Sequence, residues 1–253
     1  MSFHSFSIPN LCLVLLSAGL IVYYLRIWQL VKQKAPQQEF QLFKKPVRGF
    51  AAVYTAFMLL LCLLATNQFF QAVTTPPRFL FVFVPLLLSV IVLSRAEQSG
   101  ALSFLPFIPP AMLVFVHVYR LFIELAFIQF ANEKIIPVEL SIHGRNYDLW
   151  IGVLAIPFGY LVSRQTAWAK KGGTLFNILG LLSLVNIFTI VIPAMPSPFR
   201  VYEPMQLAAY FPGVLIVFLA SSAIFLHILS LRQLLAFKPQ TVTPSQTTTL
   251  VIP

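Results

Sequence analysis

The chain has 253 residues, 58% hydrophobic and only 9% charged, with a mean hydropathy of +0.86. Soluble domains carry about 25% charged residues, so this composition excludes a water-soluble globule. The net charge of +10, from 17 Lys+Arg against 7 Asp+Glu, falls in short segments between apolar runs. That is the pattern of an inner-membrane protein and not the basic face of a nucleic-acid binder.

At ~20 apolar residues per crossing, the length allows about seven helices with short loops and no soluble domain. The first run covers 8–31. Residues 1–7 hold no Lys or Arg, so it lacks the positive flank of a signal peptide and reads as a retained helix. The second run covers 47–71. The third, 79–94, is short and contains Pro85. The fourth, 109–131, opens on Pro109 and Pro110, where a first turn tolerates proline. The fifth, sixth and seventh cover 147–167, 174–194 and 208–231. Pro85, Pro157 and Pro212 are expected to kink or start helices. Residues 1–235 thus read as one seven-helix domain, and 236–253, rich in Thr, Gln and Pro, as a disordered cytoplasmic tail.

Positive charge sets the expected orientation. With seven spans and the N-terminus outside, the inner segments hold twelve cations: Arg26, Lys32, Lys34, Lys44, Lys45, Arg48, Arg95, Arg164, Lys170, Lys171, Arg232 and Lys238. The outer segments hold four, Arg78, Lys134, Arg145 and Arg200. Trp28 and Trp168 fall at inner ends, and Tyr147, Trp150 and Tyr210 at outer ends, as interfacial aromatics do.

Polar chemistry concentrates in the fourth run. His117, Arg120 and Glu124 are spaced i, i+3, i+7, within about 60° of arc on one helical face. A charge at mid-membrane costs ~2.5–3.5 kcal/mol on insertion scales, so this face is expected to point into the bundle. Arg120 can pair with Glu124 at i, i+4, or with Asp148 at the start of the next run. By helical rise Glu124 lies ~10 Å and Arg120 ~16 Å below the outer end, with Asn186 of the sixth run ~12 Å below it. Five of the seven acids, Glu124, Glu133, Glu139, Asp148 and Glu203, belong to the outer half, and Glu39 and Glu97 to the inner. The expectation is a polar vestibule open to the outside and floored by Arg120 and Glu124. The alternative is a buried pair that only locks helices together.

Other residues narrow the classes. His117 and His227 are the only histidines inside runs, at depths about two turns apart, which argues against paired haem ligation. Asn177, near an inner end, reads as a cap or a headgroup contact, facing away from Asn186, nine residues on. All eight lysines lie in loops or the tail, which excludes a retinal Schiff base. Cys12 and Cys62 sit in apolar runs with no metal or redox spacing. No phosphate loop, HExxH or Gly-x-Ser-x-Gly is present, and no cofactor is implied.

Two stretches look familiar together: Arg120-Leu-Phe-Ile-Glu124 followed by Pro137 through Gly144-Arg-Asn-Tyr-Asp148, and Asn177-Ile-Leu-Gly180 through Asn186, Pro196-Ser-Pro-Phe199 and His227 to Arg232. This half of the chain resembles an uncharacterised family of bacterial multi-pass inner-membrane proteins with a Gly-x-Asn-(Phe/Tyr)-Asp turn before a transmembrane helix. Thr-Phe often precedes that turn there, where this chain has Ser141-Ile142. The resemblance implies the topology and the polar positions and carries no activity. The turn has its own physical reading: Gly144 permits a tight bend, and Asn146 or Asp148 can cap the next helix.

The sequence therefore predicts an all-α polytopic membrane protein, with seven transmembrane helices, N-terminus outside and C-terminus cytoplasmic. A candidate ligand site is lined by His117, Arg120, Glu124, Asn146, Asp148 and Asn186. The expected partners are the bilayer and a small polar or anionic solute or lipid headgroup, with Arg120 facing the anion and Glu124 as counter-charge or proton carrier. A non-catalytic assembly or sensory subunit is the alternative, and a membrane enzyme acting on a lipid-linked substrate the weaker one.

Overall fold

A computed structural model describes residues 7–73, 78–98, 102–164 and 166–236. The expected tail falls outside these residues except for Ala236, which ends the last helix. The described residues are helical throughout, without strands. The α-helices are α1 (Ile8–Lys34), α2 (Gln37–Thr66), α3 (Val84–Gln98), α4 (Pro110–Phe115), α5 (Tyr119–Asn132), α6 (Asp148–Ser163), α7 (Ala167–Val191) and α8 (Ile216–Ala236). A 3₁₀ turn at Val116–Val118 joins α4 and α5 into one rod. Another, Arg78–Phe83, leads into α3.

Six segments are long and apolar enough to cross a membrane: Ile8–Lys34, Gln37–Thr66, Arg78–Arg95, Pro110–Asn132, Trp168–Ala194 and Gly213–Ala236. The fifth expected crossing is α6, Asp148–Ser163, apolar but shorter, at 16 residues. Many large apolar side chains on these helices are exposed, among them Leu15, Leu59, Leu63, Leu87, Leu125, Val185 and Leu235. An apolar exterior on long helices fits a multi-pass membrane protein.

Boundaries move where charged residues continue a helix past its apolar run. The expected loop of 32–46 shrinks to Ala35 and Pro36. Ala35, placed before a proline, is extended (φ −75°, ψ 137°) and ends α1. α2 then begins at Gln37, ten residues earlier than expected. Its polar first turns bury Phe40 and Phe43, which pack against Trp28 and Phe104. Trp28 is thus part of an internal aromatic cluster, whereas Trp150 and Trp168 are exposed at helix starts. α2 stops at Thr66, short of the expected 71. Gln68 is left-handed (φ 57°), and Asn67 donates its side-chain N–H to the Leu63 carbonyl at 2.7 Å. Pro85 is the second residue of α3 and Pro212 precedes the 3₁₀ turn Gly213–Leu215, while Pro157 lies inside α6.

α8 is the axis of the bundle. Of its apolar window, 61% is buried, against 11% for α2, which lies at the rim. α8 packs on α7, α3, α4 and α1, and α6 fills the space between α7 and the α4–α5 rod. Apolar cores mark the two ends. One gathers Leu13, Phe70, Phe79, Phe130, Ile136 and Met205, and the other Val31, Phe43, Leu93, Leu105 and Leu229. At the second end Gln233 donates to the carbonyls of Leu105 and Ile108, each at 2.6 Å, and Arg232 to that of Leu93 at 2.7 Å. These contacts tie the end of α8 to α3 and to the segment before α4.

Candidate functional site

The site begins with the turn before α6. The Arg145 N–H donates to the Glu139 carbonyl at 3.0 Å, folding 139–145 tightly onto itself. A Cβ at Gly144 would collide with the backbone of Glu139 and Val138, so only glycine closes this loop. The closure carries Asn146 inward. Its Oδ1 accepts the Asp148 N–H at 3.0 Å, and its Nδ2 donates to the Leu140 carbonyl at 2.8 Å and to Glu124 Oε1 at 2.7 Å. Asn146 therefore organises the start of α6 from just outside it.

Two residues further on, Asp148 faces Arg120. The guanidinium donates from Nε to Asp148 Oδ2 at 2.6 Å and from Nη2 to Oδ1, a bidentate ion pair buried within the bundle. Of the two partners open to Arg120, the structure has Asp148 and not Glu124. Asp148 takes Arg120, and Asn146 takes Glu124, one turn along α5. A planar fork fits a carboxylate arriving from a neighbouring helix better than one on its own helix.

Arg120 extends the network further. Nη2 lies 3.4 Å from Ser183 Oγ, whose hydroxyl donates to Asp148 Oδ1. Nη1 lies 2.9 Å from His227 Nε2. A guanidinium has donors only, so His227 accepts at Nε2 and its Nδ1–H donates to Asn177 Oδ1 at 2.9 Å. Asn177 Nδ2 completes the chain, donating to the Gly173 carbonyl at 2.7 Å and Ser230 Oγ at 2.9 Å. The line Glu124–Asn146–Asp148–Arg120–His227–Asn177 crosses four helices and is buried throughout.

The depth expectation for the histidines is wrong. The His117 and His227 rings stack with centroids 3.7 Å apart and planes 12° apart. α8 continues to Ala236, so His227 lies deeper than the expected end at 231 implied. The parallel stack does not converge the ring nitrogens on one point, and the described residues hold no cluster of three His, Cys, Asp or Glu suited to a metal. Both nitrogens of His117 are buried without a hydrogen-bond partner among the described residues. The reading of Asn177 as a cap or headgroup contact also fails, because α7 starts at Ala167 and carries Asn177 into the core.

Asn186 stands apart from this network. It is half-buried, and its Nδ2 donates to the Arg145 carbonyl at 2.6 Å, holding the loop and not Arg120 or Glu124. Ser183, Asn177, His227 and Gly180 take the place it was expected to fill. A Cβ at Gly180 would overlap the His227 imidazole, so this glycine makes room for the ring. The signal was present in the sequence: Asn177, Gly180 and Ser183 are spaced i, i+3, i+6, a stripe of small or polar residues on one face of an apolar helix.

Beside the network lies a cavity of about 80 Å³. Arg120, Glu124, Asp148 and Tyr119 are its polar boundary. Its other walls are apolar: Phe79, Val82, Phe83 and Leu86 before and within α3, Leu184, Ile187 and Phe188 of α7, and Val217, Leu219 and Ala220 of α8. The loops close over it, with Leu140, Met205 and Ala208 in its lining, and Arg145 Nη2 donates to the Tyr202 hydroxyl above. The polar vestibule expected from the loops is therefore a covered, mostly apolar crevice. Tyr119 donates its hydroxyl to the Leu219 carbonyl at 2.8 Å. Glu124 Oε2, 1% of the residue being exposed, is left without a partner among the described residues.

Comparison with family models, with curated proteins and with solved structures returned no match.

Proposed function

We propose that this chain is a seven-span membrane protein that binds an amphiphilic molecule in an intramembrane pocket, without catalysing a reaction on it. The observation that carries the reading is Glu124 Oε2, a buried carboxyl oxygen without a partner among the described residues, beside an apolar crevice. Leaving a buried polar atom unpaired costs about 1–3 kcal/mol, which a bound hydrogen-bonding group recovers. The apolar walls favour an amphiphile over passage of a polar solute, which needs a polar lining along its path.

Seven crossings with the N-terminus outside is the topology that goes with this reading. Two observations support it. α6 leaves the Asn146 turn at one end and reaches the other, where Val162 meets Gly173 and Leu234. At 16 residues it rises about 24 Å, a span made by burial among neighbours and not by length alone. The twelve-to-four cation bias supports an outward position of the 133–147 and 195–212 loops, the membrane of this reading being the cytoplasmic one of a bacterium. The work done by the Gly144–Asp148 turn supports grouping the chain with the bacterial family that carries it.

A second reading has its own support. The Arg120–Asp148–Ser183–His227–Asn177 network is internally satisfied, as a purely structural lock would be. An assembly or sensory subunit would need nothing more. Native mass spectrometry separates the two. The wild-type protein is expected to retain a small-molecule adduct after delipidation, and the Ala220→Leu variant, with its crevice filled, to lose it. A wild type without adduct, or the same adduct on both proteins, favours the lock.

A further inference from the structure

Resting on the pocket reading, we infer that the ligand is a neutral, chain-like apolar molecule ending in a single hydroxyl, with that hydroxyl on Glu124. Arg120 has little left to offer a ligand. Its Nε and Nη2 are taken by Asp148 and one of the two Nη1 hydrogens by His227, which leaves a single N–H in place of a fork. An anionic headgroup would have to displace a bidentate carboxylate from a dry site while lying between Asp148 and Glu124. Like charges at that range in a low-dielectric medium oppose it. Among the described residues, the polar atom of this lining that makes no hydrogen bond is Glu124 Oε2, while Tyr119 already donates to the Leu219 carbonyl.

A hydroxyl fits that oxygen in either of its states. It donates to a carboxylate and accepts from a carboxylic acid. It also brings no charge into the bilayer, whereas an ammonium adds a desolvation cost that a single carboxylate must offset. Water is a poor occupant, since a buried water takes 2–4 polar partners and the walls around the Glu124 oxygen are mostly apolar. The size points the same way. An engineered cavity of roughly 150 Å³ holds benzene, so about 80 Å³ holds a terminal hydroxyl and a few carbons. The remaining chain needs an exit. The 3₁₀ turn before α3 meets α7 near the crevice through the rings of Phe83 and Phe188, centroids 5.8 Å apart, and both residues are half-buried and line it. Two side chains without backbone hydrogen bonds are a seam through which an alkyl chain reaches the acyl region.

The test uses the purified full-length protein in nanodiscs and a diazirine-bearing C12 alcohol as photoprobe. Labelling is expected on α5, α7 or α8 beside the crevice, with dodecanol competing at least roughly tenfold better than dodecylamine or laurate, the scale of one dry hydrogen bond. Dioctanoylglycerol as a further competitor tells a glycerolipid hydroxyl from a simple long-chain alcohol. Glu124→Leu should weaken labelling by roughly tenfold, whereas Glu124→Gln, whose amide still meets a hydroxyl, should restore most of it. Ala220→Leu should abolish it. If Ala220→Leu blocks labelling but Glu124→Leu labels like wild type, the pocket stands and the hydroxyl assignment falls. If Ala220→Leu also labels like wild type, both fall. The competition order on wild-type protein needs no variant, and an acid or amine that matches the alcohol there overturns the inference.

Discussion

Arg120 and Asp148 are 28 residues apart in sequence and meet as a bidentate pair inside the bundle. This contact fastens α6 to the α4–α5 rod, and it consumes the charge that an anionic ligand would have used. Removing one partner of a buried pair leaves an uncompensated ion, whereas removing both does not. Arg120→Met and Asp148→Leu are each expected to destabilise by about 3–5 kcal/mol, and the double variant to recover most of that loss. Thermal unfolding in detergent, arranged as a double-mutant cycle, measures the coupling. Additive losses would place the two side chains out of contact.

Gly180 and His227 form a second coupled pair, through space and not charge. Alanine at 180 forces the imidazole out from between His117 and Arg120. Gly180→Ala is expected to cost about 1–3 kcal/mol, the usual range for overpacking a core. His227→Ala makes room for the added methyl, so the double variant should lose less than the sum of the singles. Full additivity would contradict the packing described.

The turn at Gly144 gives a prediction with an internal control. A side chain there collides with the Glu139 backbone, while one at Gly49 on α2 meets nothing within 4 Å. Gly144→Ala should destabilise by about 1–3 kcal/mol and release Asn146 from Glu124. Gly49→Ala should be neutral or stabilising by about 0.5–1 kcal/mol, since glycine is a poor helix former. Melting curves of the two variants, recorded together, check the contrast.

Topology is open to direct labelling. With Cys12 and Cys62 replaced by serine, single cysteines at Lys134 and Arg200 should react with a membrane-impermeant maleimide on intact spheroplasts. Cysteines at Lys171 and Lys44 should react only after lysis. Protection at 134 combined with reaction at 171 would invert the orientation. Reaction at both 134 and 171 before lysis would mean that α6 does not cross.

The polar layer was legible because charged residues in an apolar run are few and costly. That rule alone places Arg120 and Glu124 inside and makes Asp148 a plausible partner of Arg120. Asn146 and Asp148, two residues apart, reach side chains a helical turn apart on α5, and no helical periodicity encodes such a match. The loop closure at Gly144 does. Asn177 and His227 were misplaced for a different reason. Apolar-run boundaries are not helix ends: α7 begins before its run at Ala167 and α8 runs on past Arg232 and Gln233 to Ala236. The same cause hid the ten extra residues of α2. Asn186 has the depth for the layer, but its own helix turns it toward the Arg145 carbonyl.

The central claim is that the crevice beside Glu124 holds part of an amphiphile. A side-chain-resolution density map of the protein in nanodiscs made with its native lipids tests it most directly. The account predicts elongated density between α5, α7 and α8, one end within hydrogen-bonding reach of Glu124 Oε2 and the other passing between Phe83 and Phe188. A crevice collapsed onto itself, with that oxygen bonded to a group of the protein, would contradict it.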